Sequence, residues 1–324
     1  MTAAPKIHPE MNTSNLWEDQ FLSWASGLGI SIVERKNQIG AYPYFQFEAN
    51  FNADGRRCFT YGRSQNRRLA AVKAVAEFAE RKAMLNFFKS QCEVAKNIPA
   101  PMRTSNGWAV HQTAELAEKT AVNEALERHL LLLSYFKFGW SGFHLVQKIQ
   151  TPGMDLYFLT SRFTSKGRIA SLVIAKSPRY PGVSFGYCAG QIEDLGRADF
   201  WESALFEAAD KILTLNGRPV DLSLDPKSWL LSEVKHYLET PFNTEQLKAG
   251  NDFSECCPVK PEVLILDLAS KWGLDFPLFA AFAFGGGQMP LFHPSNVSKQ
   301  DLQYIAEALK NNGIDTLPER HPVL

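Results

Sequence analysis

The apolar and polar positions of the chain switch between two periodicities, one typical of helices and the other typical of strands. Stretches rich in Ala, Leu and Glu predict helices at 67–91, 113–138, 199–215, 227–238 and 299–311. Alternating or compact apolar stretches predict strands at 29–36, 42–51, 155–163, 168–176, 185–189, 262–268 and 278–284. Because a turn-like Ser165-Lys166-Gly167 separates two of these strands, we expect a mixed α/β (α+β) fold with partly antiparallel sheets.

The chain carries no low-complexity segment that would divide it, so one compact unit is expected. Residues 1–55 are predicted to form a strand-rich N-terminal lead-in that packs on the core, and residues 56–324 to form the main domain. Prolines and a glycine predict a loop over 96–112, and two further prolines predict an extended tail over 317–324.

Composition and charge narrow the class of protein. The chain has 34 Lys and Arg against 34 Asp and Glu, so it lacks the excess positive charge on which nucleic-acid binding depends. Its longest apolar stretch, 276–284, is far shorter than the roughly 20 residues that cross a bilayer. The N-terminus shows no secretory signal, and the five cysteines include no Cys-x-x-Cys pair. We therefore expect a cytoplasmic protein with free thiols and without zinc.

One motif occurs on both of the long predicted helices, 67–91 and 113–138. Its form is Glu-x-x-Glu-Arg, and an apolar and aromatic stretch follows each copy. The two copies are Glu77, Glu80 and Arg81, and Glu124, Glu127 and Arg128. A weaker third copy, 207–211, has Asp and Lys at its last two positions and lies on the predicted helix 199–215. Such an internal repeat indicates that the same structural unit is used more than once.

The spacing of the motif predicts acids that share one face of a largely apolar, buried helix. Burying an unpaired carboxylate costs several kcal/mol, so a compensating cation is required. Arg81 and Arg128 could compensate the charge locally. If the two helices pack with these faces together, four carboxylates converge, and Mg²⁺ becomes the stronger compensation. One alternative is that each copy is an ordinary solvated i, i+4 pair. Another is that the repeat is the relic of an ancient duplication with structural ion pairs.

Residues 105–113 are Ser-Asn-Gly-Trp-Ala-Val-His-Gln-Thr, and the helix that carries Glu-x-x-Glu-Arg follows them. Together these two consecutive features resemble the YcaO family. In that family a similar loop leads into such a helix, and an earlier helix carries Ser-x-x-Glu-x-x-Glu-Arg. Here Ala74 stands at the serine position of the earlier helix. Residues 61–64 resemble the family's glycine-containing lead-in, and residues 185–190 resemble its third block.

The resemblance implies a fold and an activity. It covers residues 58–215 well and the rest loosely, and it implies that 56–324 form a YcaO-like arrangement of repeated helix and antiparallel-strand units. Proteins of this family bind ATP with Mg²⁺ through glutamates. After a nucleophile has attacked a peptide backbone amide they phosphorylate its oxygen, as cyclodehydratases and thioamidation enzymes do. The products are azolines, thioamides or amidines in ribosomally made peptides.

The resemblance also implies a role for particular residues and partners. It implies that Mg²⁺ is held by Glu77, Glu80, Glu124 and Glu127, and that the nucleotide is bound by these four with Arg81, Gln112 and Arg128. The arginines would neutralise phosphate charge or orient the glutamates. The implied partners are a peptide substrate, a leader-binding or sulfur-delivering protein, and a second copy of the chain in a homodimer. Neither nucleic acid nor a membrane is implied.

Some residues depart from the family pattern in the nucleotide site. Leu116 and Thr120 stand where a glutamate and a glutamine are expected, and His111 replaces a glycine. These changes remove polar ligands where ATP needs them. Either the site binds nucleotide differently, through Glu115 or Glu118, or the chain is a degenerate, non-catalytic YcaO homologue. Such a homologue would act as a peptide-binding or partner subunit of a biosynthetic complex.

Overall fold

Helices and strands alternate along the chain much as the apolar pattern predicts. The computed structural model describes residues 10–39, 42–53, 56–178, 183–216, 242, 244–247, 249–250, 252–256, 259–269, 276–289 and 298–315. The helices are α1 (Glu10–Gly27), α2 (Arg67–Lys89), α3 (Glu93–Asn97), α4 (Ala114–Phe138), α5 (Ala198–Asn216) and α6 (Lys299–Asn311). The strands are β1 (Ser31–Ile39), β2 (Tyr42–Ala53), β3 (Arg56–Ser64), β4 (Trp108–His111), β5 (Phe143–Thr151), β6 (Met154–Ser165), β7 (Arg168–Lys176), β8 (Val183–Gln191), β9 (Ser254–Glu255), β10 (Glu262–Asp267) and β11 (Phe279–Phe284).

The described strands form three sheets that are antiparallel apart from one short pairing. One sheet has the order β1-β2-β3, a second has the order β10-β11-β4, and the third has the order β5-β6-β7-β8. The short β9 pairs in parallel with β6. β6 and β7 form the predicted hairpin, and Lys166 and Gly167 in its turn have φ of 52° and 72°. The predicted mixed α/β fold with antiparallel sheets is therefore confirmed.

Each sheet lies between two of the three long helices α2, α4 and α5. Alternate side chains of a strand point to opposite faces of its sheet. Residues an odd number of positions apart accordingly pack against different helices. Examples are Tyr44 and Phe47 of β2 (α5 and α2), Trp108 and Ala109 of β4 (α2 and α4), and Tyr187 and Cys188 of β8 (α4 and α5). Each long helix is consequently shared by two sheets, and central strands such as β7 and β11 are apolar on both faces. No helix in the described ranges is long and apolar enough to cross a bilayer.

Side-chain caps fix where the two motif-bearing helices begin. Oδ1 of Asn66 accepts hydrogen bonds from the backbone N–H groups of Arg68 and Leu69 at 3.0 and 3.1 Å, which caps α2. At the start of α4, Oγ1 of Thr113 accepts from the N–H group of Leu116 at 3.2 Å. Gly139 ends α4 with a φ of 59°, a conformation that residues with a side chain rarely adopt. Local chemistry therefore sets these boundaries, which explains why the sequence predicts them closely.

The pair β3–α2 and the pair β8–α5 make the same hydroxyl contact. Oγ1 of Thr60 in β3 donates to the carbonyl oxygen of Ala74 in α2 at 2.8 Å. Oγ of Ser184 in β8 donates to the carbonyl oxygen of Ala208 in α5. The two strand–helix pairs therefore form a repeated unit, with Ala74 and Ala208 at equivalent positions.

A glycine lies two residues beyond each of these hydroxyls and lets the helix approach the strand closely. A Cβ at Gly62 would stand 2.0 Å from the carbonyl oxygen of Ala70, and a Cβ at Gly186 would stand 1.9 Å from that of Ala204. Real atoms cannot approach so closely, so any larger residue would push the helix away. The repeated unit is thus defined by a hydroxyl and a glycine on the strand and by small residues on the helix.

Several parts of the chain differ from the expectation. Residues 10–27 form α1, for which no element was predicted, although Trp17, Phe21 and Trp24 follow a helical spacing. The loop predicted over 96–112 is wrong in part, because 108–111 form β4 and pair with β11. β3 and β5 were not predicted either. The predicted helix 227–238 and tail 317–324 lie outside the described residues, and the division after residue 55 stays a proposal.

Replacing Gly62 by alanine is expected to destabilise the protein, because the added Cβ would overlap the carbonyl oxygen of Ala70. Relieving the overlap requires β3 and α2 to move apart, which should lower the free energy of unfolding by about 3 kcal/mol. Urea denaturation would show this as a lower midpoint. Gly196→Ala is the control, since a Cβ there meets nothing within 4 Å. Equal midpoints for the two variants would contradict the close strand–helix contact.

Candidate functional site

Contacts on two sides hold Glu77 in place. Its Oε2 accepts a hydrogen bond from the backbone N–H group of Tyr61 in β3 at 2.8 Å. Its Oε1 lies 2.5 Å from Nη2 of Arg81, one turn later in α2. This ion pair is the local compensation that the motif allows. Glu80, on the same helix, is half-buried. Among the described residues it makes no ion pair with Arg81, which contacts Glu77 instead.

Arg128 lies between the acids of α4 and an aromatic ring of β8. Its Nε is 3.8 Å from Oε1 of Glu127, and its Cζ is 4.0 Å from the centre of the Tyr187 ring. Burial alone would lower the pKa of this guanidinium, but the negative charges around it raise the pKa instead, those of Glu127 most of all. Arg128 is therefore a permanent cation inside the acidic cluster.

Glu207 joins the cluster from α5. Nζ of Lys211 donates to its Oε1 at 3.0 Å and to the carbonyl oxygen of Phe185 in β8 at 3.0 Å. Burial raises the pKa of this carboxyl, yet the net shift is downward. The cations that lower it are Lys211, Arg128 and Arg63, in that order. Glu207 is therefore an ionised acid that faces the cations of three different elements.

Asp210 points into a different, buried network. Its Oδ2 accepts from Nε and Nη2 of Arg63 at 3.0 and 2.8 Å and from Nε2 of Gln46 at 2.7 Å, and its Oδ1 accepts from Oη of Tyr44 at 3.2 Å. These bonds tie the sheet β1-β2-β3 to α5. Of the two acids in the weaker third copy of the motif, only Glu207 therefore reaches the cluster.

The repeated strand–helix unit defines how α5 corresponds to α2. Lys211 follows Ala208 by three residues, as Glu77 follows Ala74. Glu77 accepts from the N–H group of Tyr61, the residue before the strand glycine, and Lys211 donates to the carbonyl group of the equivalent residue of β8. A cation in α5 thus takes the position of an acid in α2. The sequence alignment of the third copy, which pairs Glu207 with Glu77, is wrong by one helical turn.

The acids of α2 and α4 lie within electrostatic reach of each other. Burial raises the pKa of Glu80 well above its ordinary value, and the charges of Glu124 and Glu77 raise it further against the opposing effect of Arg81. Burial also raises the pKa of Glu124 to about 8, opposed by Arg128 and supported by the neighbouring carboxylates. The charges of the two copies of the motif therefore act on one another, although the copies lie on different helices.

Glu127 connects the acids of α4 with α5. Burial raises its pKa to about 7, Arg128 opposes the shift and Glu207 adds to it. The structure thus brings the four predicted acids and Glu207 into one electrostatically coupled group. Near neutral pH this group carries fewer negative charges than carboxyls in water would carry, because burial favours the protonated form.

Mg²⁺ fits this group by charge and by ligand chemistry. In the described ranges, no three His, Cys, Asp or Glu side chains lie close enough together to enclose a metal ion as they stand. Half-buried carboxyls with raised pKa values are nevertheless poorly compensated, and a hard divalent cation supplies the missing positive charge. Carboxylate oxygens are the ligands that such a cation prefers. The residues present therefore suit the metal, although they would have to rearrange around it.

Whereas Glu124 and Glu127 lie near the middle of α4, Gln112 lies just before the start of that helix. Its backbone N–H group donates to Nδ1 of His111 at 2.9 Å, and it directly precedes the cap of the helix. Glu124 lies about 15 Å along the axis from the first residue of α4. Leu116, half-buried, and Thr120, exposed, lie on the turns between the start of α4 and Glu124. Gln112 is therefore separated along α4 from Glu124 and Glu127, and its place at the nucleotide stays a proposal.

Comparisons with known proteins identify the fold. No protein-family model and no curated protein matches the chain. Among solved structures, YcaO from Methanopyrus kandleri bound with AMPPCP and Mg²⁺ is similar at 12% identity and a TM-score of 0.54, over 90% of this chain and 96% of that one. The chain has a YcaO-like fold. A heterocyclase in complex with substrate and cofactor shares this YcaO-like fold at 14% identity and a TM-score of 0.51, over 84% of this chain and 52% of that one.

Sequence reasoning did not place Arg63, Tyr187 and Lys211 at the site. Arg63 and Tyr187 each follow the strand glycine of a repeated unit, Gly62 or Gly186, so the glycine that packs on the helix precedes a side chain on the opposite face. This pattern, a glycine followed by the site residue, was the sequence signal for Arg63 and Tyr187. It can be recognised only when the two units of the YcaO-like fold are superposed.

The stability of the protein is expected to fall as the pH rises through neutrality. Glu127 and Glu124 have pKa values of about 7 and about 8 in the folded protein, above the ordinary value of 4.5. Between these limits the folded state binds more protons than the unfolded state, so the free energy of unfolding decreases with rising pH. Thermal unfolding should therefore give a lower melting temperature at pH 8.5 than at pH 6.5.

Glu124→Gln removes one titrating group. It should therefore reduce the difference in bound protons between the folded and unfolded states, which sets the slope of the free energy of unfolding against pH, by at most one. Glu307→Gln, on the exposed surface of α6, is the control and should leave the slope unchanged. A wild-type melting temperature that is constant or increases from pH 6.5 to pH 8.5 would show that the acids are not sheltered.

Proposed function

We propose that this protein is a YcaO-like enzyme of ribosomal peptide modification that uses ATP and Mg²⁺ to activate a backbone amide of a peptide. The observation that supports it is the group of half-buried, electrostatically interacting acids and cations that α2, α4 and α5 share within a YcaO-like fold. The similar structure from Methanopyrus kandleri was solved with AMPPCP and Mg²⁺, and the similar heterocyclase with substrate and cofactor. An azoline, thioamide or amidine would be the product.

In this proposal the acids hold the metal-bound nucleotide. The ligands of Mg²⁺ would be Glu77, Glu80, Glu124 and Glu127, and Arg81, Gln112 and Arg128 would also bind the nucleotide. A carboxyl must lose its proton before it can bind a metal ion, so Mg²⁺ competes with the protons that burial retains. Raised pKa values in the free protein are therefore what a cation site would show before its cation arrives.

The chain's own residues would bind, orient and shelter the reacting groups. A nucleophile from the peptide or from a sulfur-delivering partner would attack the amide carbon. A bound ATP would supply the phosphoryl group that the amide oxygen accepts, with ADP as the leaving group, and that oxygen would then depart as phosphate. Phosphoryl transfer depends mainly on positioning and on the stabilisation of negative charge. Arg128, a permanent cation within the acidic cluster, suits that purpose. A leader-binding protein would deliver the peptide, and a homodimer would be the assembly.

A second function is favoured by the first turns of α4. Leu116 is apolar and half-buried there, and Thr120 faces solvent, so these two positions lack the glutamate and the glutamine of the family pattern. A YcaO-like protein without a working nucleotide site would bind a peptide or an active partner instead. Co-purification with other proteins of a biosynthetic complex would then be its measurable property.

Isothermal titration calorimetry with ATP and Mg²⁺ tests the first proposal. Wild-type protein should bind with measurable heat, whereas Glu124→Gln should weaken binding at least tenfold. The reason is that an amide cannot supply the charged oxygen that Mg²⁺ prefers. Leaving out Mg²⁺ should weaken binding of the wild-type protein by a similar factor.

Glu307→Gln serves again as the matched control and should bind like the wild-type protein, since it removes an exposed acid from α6. Absence of heat from the wild-type protein would end the catalytic interpretation. If a reconstituted complex modifies its peptide equally well with Glu77→Ala, this chain is a partner subunit and not the enzyme.

A further inference from the structure

An aromatic ring, and not an acid, fixes the plane of Arg128. Cζ of Arg128 lies 4.0 Å from the centre of the Tyr187 ring, a distance at which a guanidinium group stacks on the face of the ring. The contact between Nε of Arg128 and Oε1 of Glu127 is 3.8 Å, too long for a hydrogen bond. Tyr187 is only 9% exposed, so the stacked pair is largely shielded from water.

The strand around Tyr187 is held rigidly from its other face. The preceding Gly186 packs on the backbone of α5, where a Cβ would stand 1.9 Å from the carbonyl oxygen of Ala204. Nζ of Lys211 donates to the carbonyl oxygen of Phe185 at 3.0 Å. Both contacts fix the position and the direction of β8 relative to α5 at Tyr187. The ring of Tyr187 is consequently a fixed platform for Arg128.

One nitrogen of the stacked guanidinium can donate to a further hydrogen-bond acceptor. Nη1 of Arg128 is buried and has no hydrogen-bond partner among the described residues. A buried N–H group without an acceptor is costly, so structures rarely keep one that no ligand or water uses. A phosphate oxygen is the acceptor that a planar, permanently charged guanidinium binds best.

We propose that Tyr187 is a positioning residue that holds Arg128 so that Nη1 binds a phosphate group of the nucleotide. The inference rests on the proposed function for the identity of the ligand, but the stacked pair and the unpartnered nitrogen are independent of it. Tyr187 acts through its ring face and not through its hydroxyl group. Its removal should therefore affect anion binding, whereas removal of the hydroxyl alone should not.

Calorimetry with pyrophosphate alone, and with ATP and Mg²⁺, tests this role. Tyr187→Leu should weaken the binding of both probes about tenfold, because it removes the π face under the guanidinium. Tyr187→Phe keeps that face and should bind within about threefold of the wild-type protein. Phe138→Leu is the control, since it removes a ring from beneath Arg162, at 5.4 Å, on another part of the surface.

A double-mutant cycle separates positioning from general destabilisation. In an Arg128→Gln background, Tyr187→Leu should cause no further loss of pyrophosphate affinity, because the residue through which it acts is gone. If Arg128→Gln does not fold, Arg128→Lys replaces it, and the loss caused by Tyr187→Leu should be smaller than in the wild-type background. Melting temperatures of all variants verify that the compared proteins are folded.

The outcomes distinguish this inference from the proposed function. Wild-type affinity in Tyr187→Leu, or a tenfold loss that persists without Arg128, would overturn the positioning role while nucleotide binding by the wild-type protein preserves the proposed function. Pyrophosphate binding that follows the expected pattern, without peptide modification, would support the role and overturn the proposed function. A wild-type protein that binds neither probe would overturn both.

Discussion

Carboxyl groups that are sheltered from water and only partly neutralised by nearby cations are the constraint on which the site depends. Burial raises the pKa values of Glu80, Glu124 and Glu127, although Arg81 and Arg128 oppose the shift. A fold keeps such groups only where something compensates the cost of their desolvation. In this molecule the cost is shared between local arginines, retained protons and, in our proposal, a divalent cation that displaces those protons.

The architecture explains why the acids meet where they do. Each of the three sheets lies between two long helices, so α2, α4 and α5 are joined in pairs through the sheets that they share. Glycines in β3 and β8 bring the helices unusually close to their strands. This close approach fixes the position of each helix relative to its strand. Glu77 and Lys211 consequently lie at equivalent positions with opposite charge. Packing of small residues thus determines the electrostatics of the site.

The third helix gives the site its balance of charge. α2 and α4 contribute acids with one arginine each, whereas α5 contributes Glu207 together with Lys211. Asp210, one residue from Lys211, serves a structural purpose by joining α5 to the first sheet. An ionised Glu207 beside partly protonated acids gives the group two kinds of carboxyl, distinguished by their cation neighbours. In our proposal, such a mixture lets the site accept a divalent cation and an anionic ligand together.

Local signals explain which features the sequence predicts. The helices that carry the motif were predictable because their apolar pattern is long and their caps, Asn66 and Thr113, are side chains in the adjacent sequence. β4 was missed because its four residues form a strand only through pairing with β11, which is remote in the chain. The role of Tyr187 was missed for the same reason, since its partner Arg128 belongs to another element. Pairing of distant segments decides these features, and a periodic pattern does not record it.

The release of protons on binding of ATP and Mg²⁺ at pH 7 tests the central claim most directly. Calorimetry in buffers of different ionisation enthalpy counts these protons without any substitution in the protein. Because the sheltered carboxyls must give up their protons to the metal ion, we expect a net release of at least one proton per site. Binding without release, or with uptake of protons, would contradict the view that these acids are the ligands of the cation.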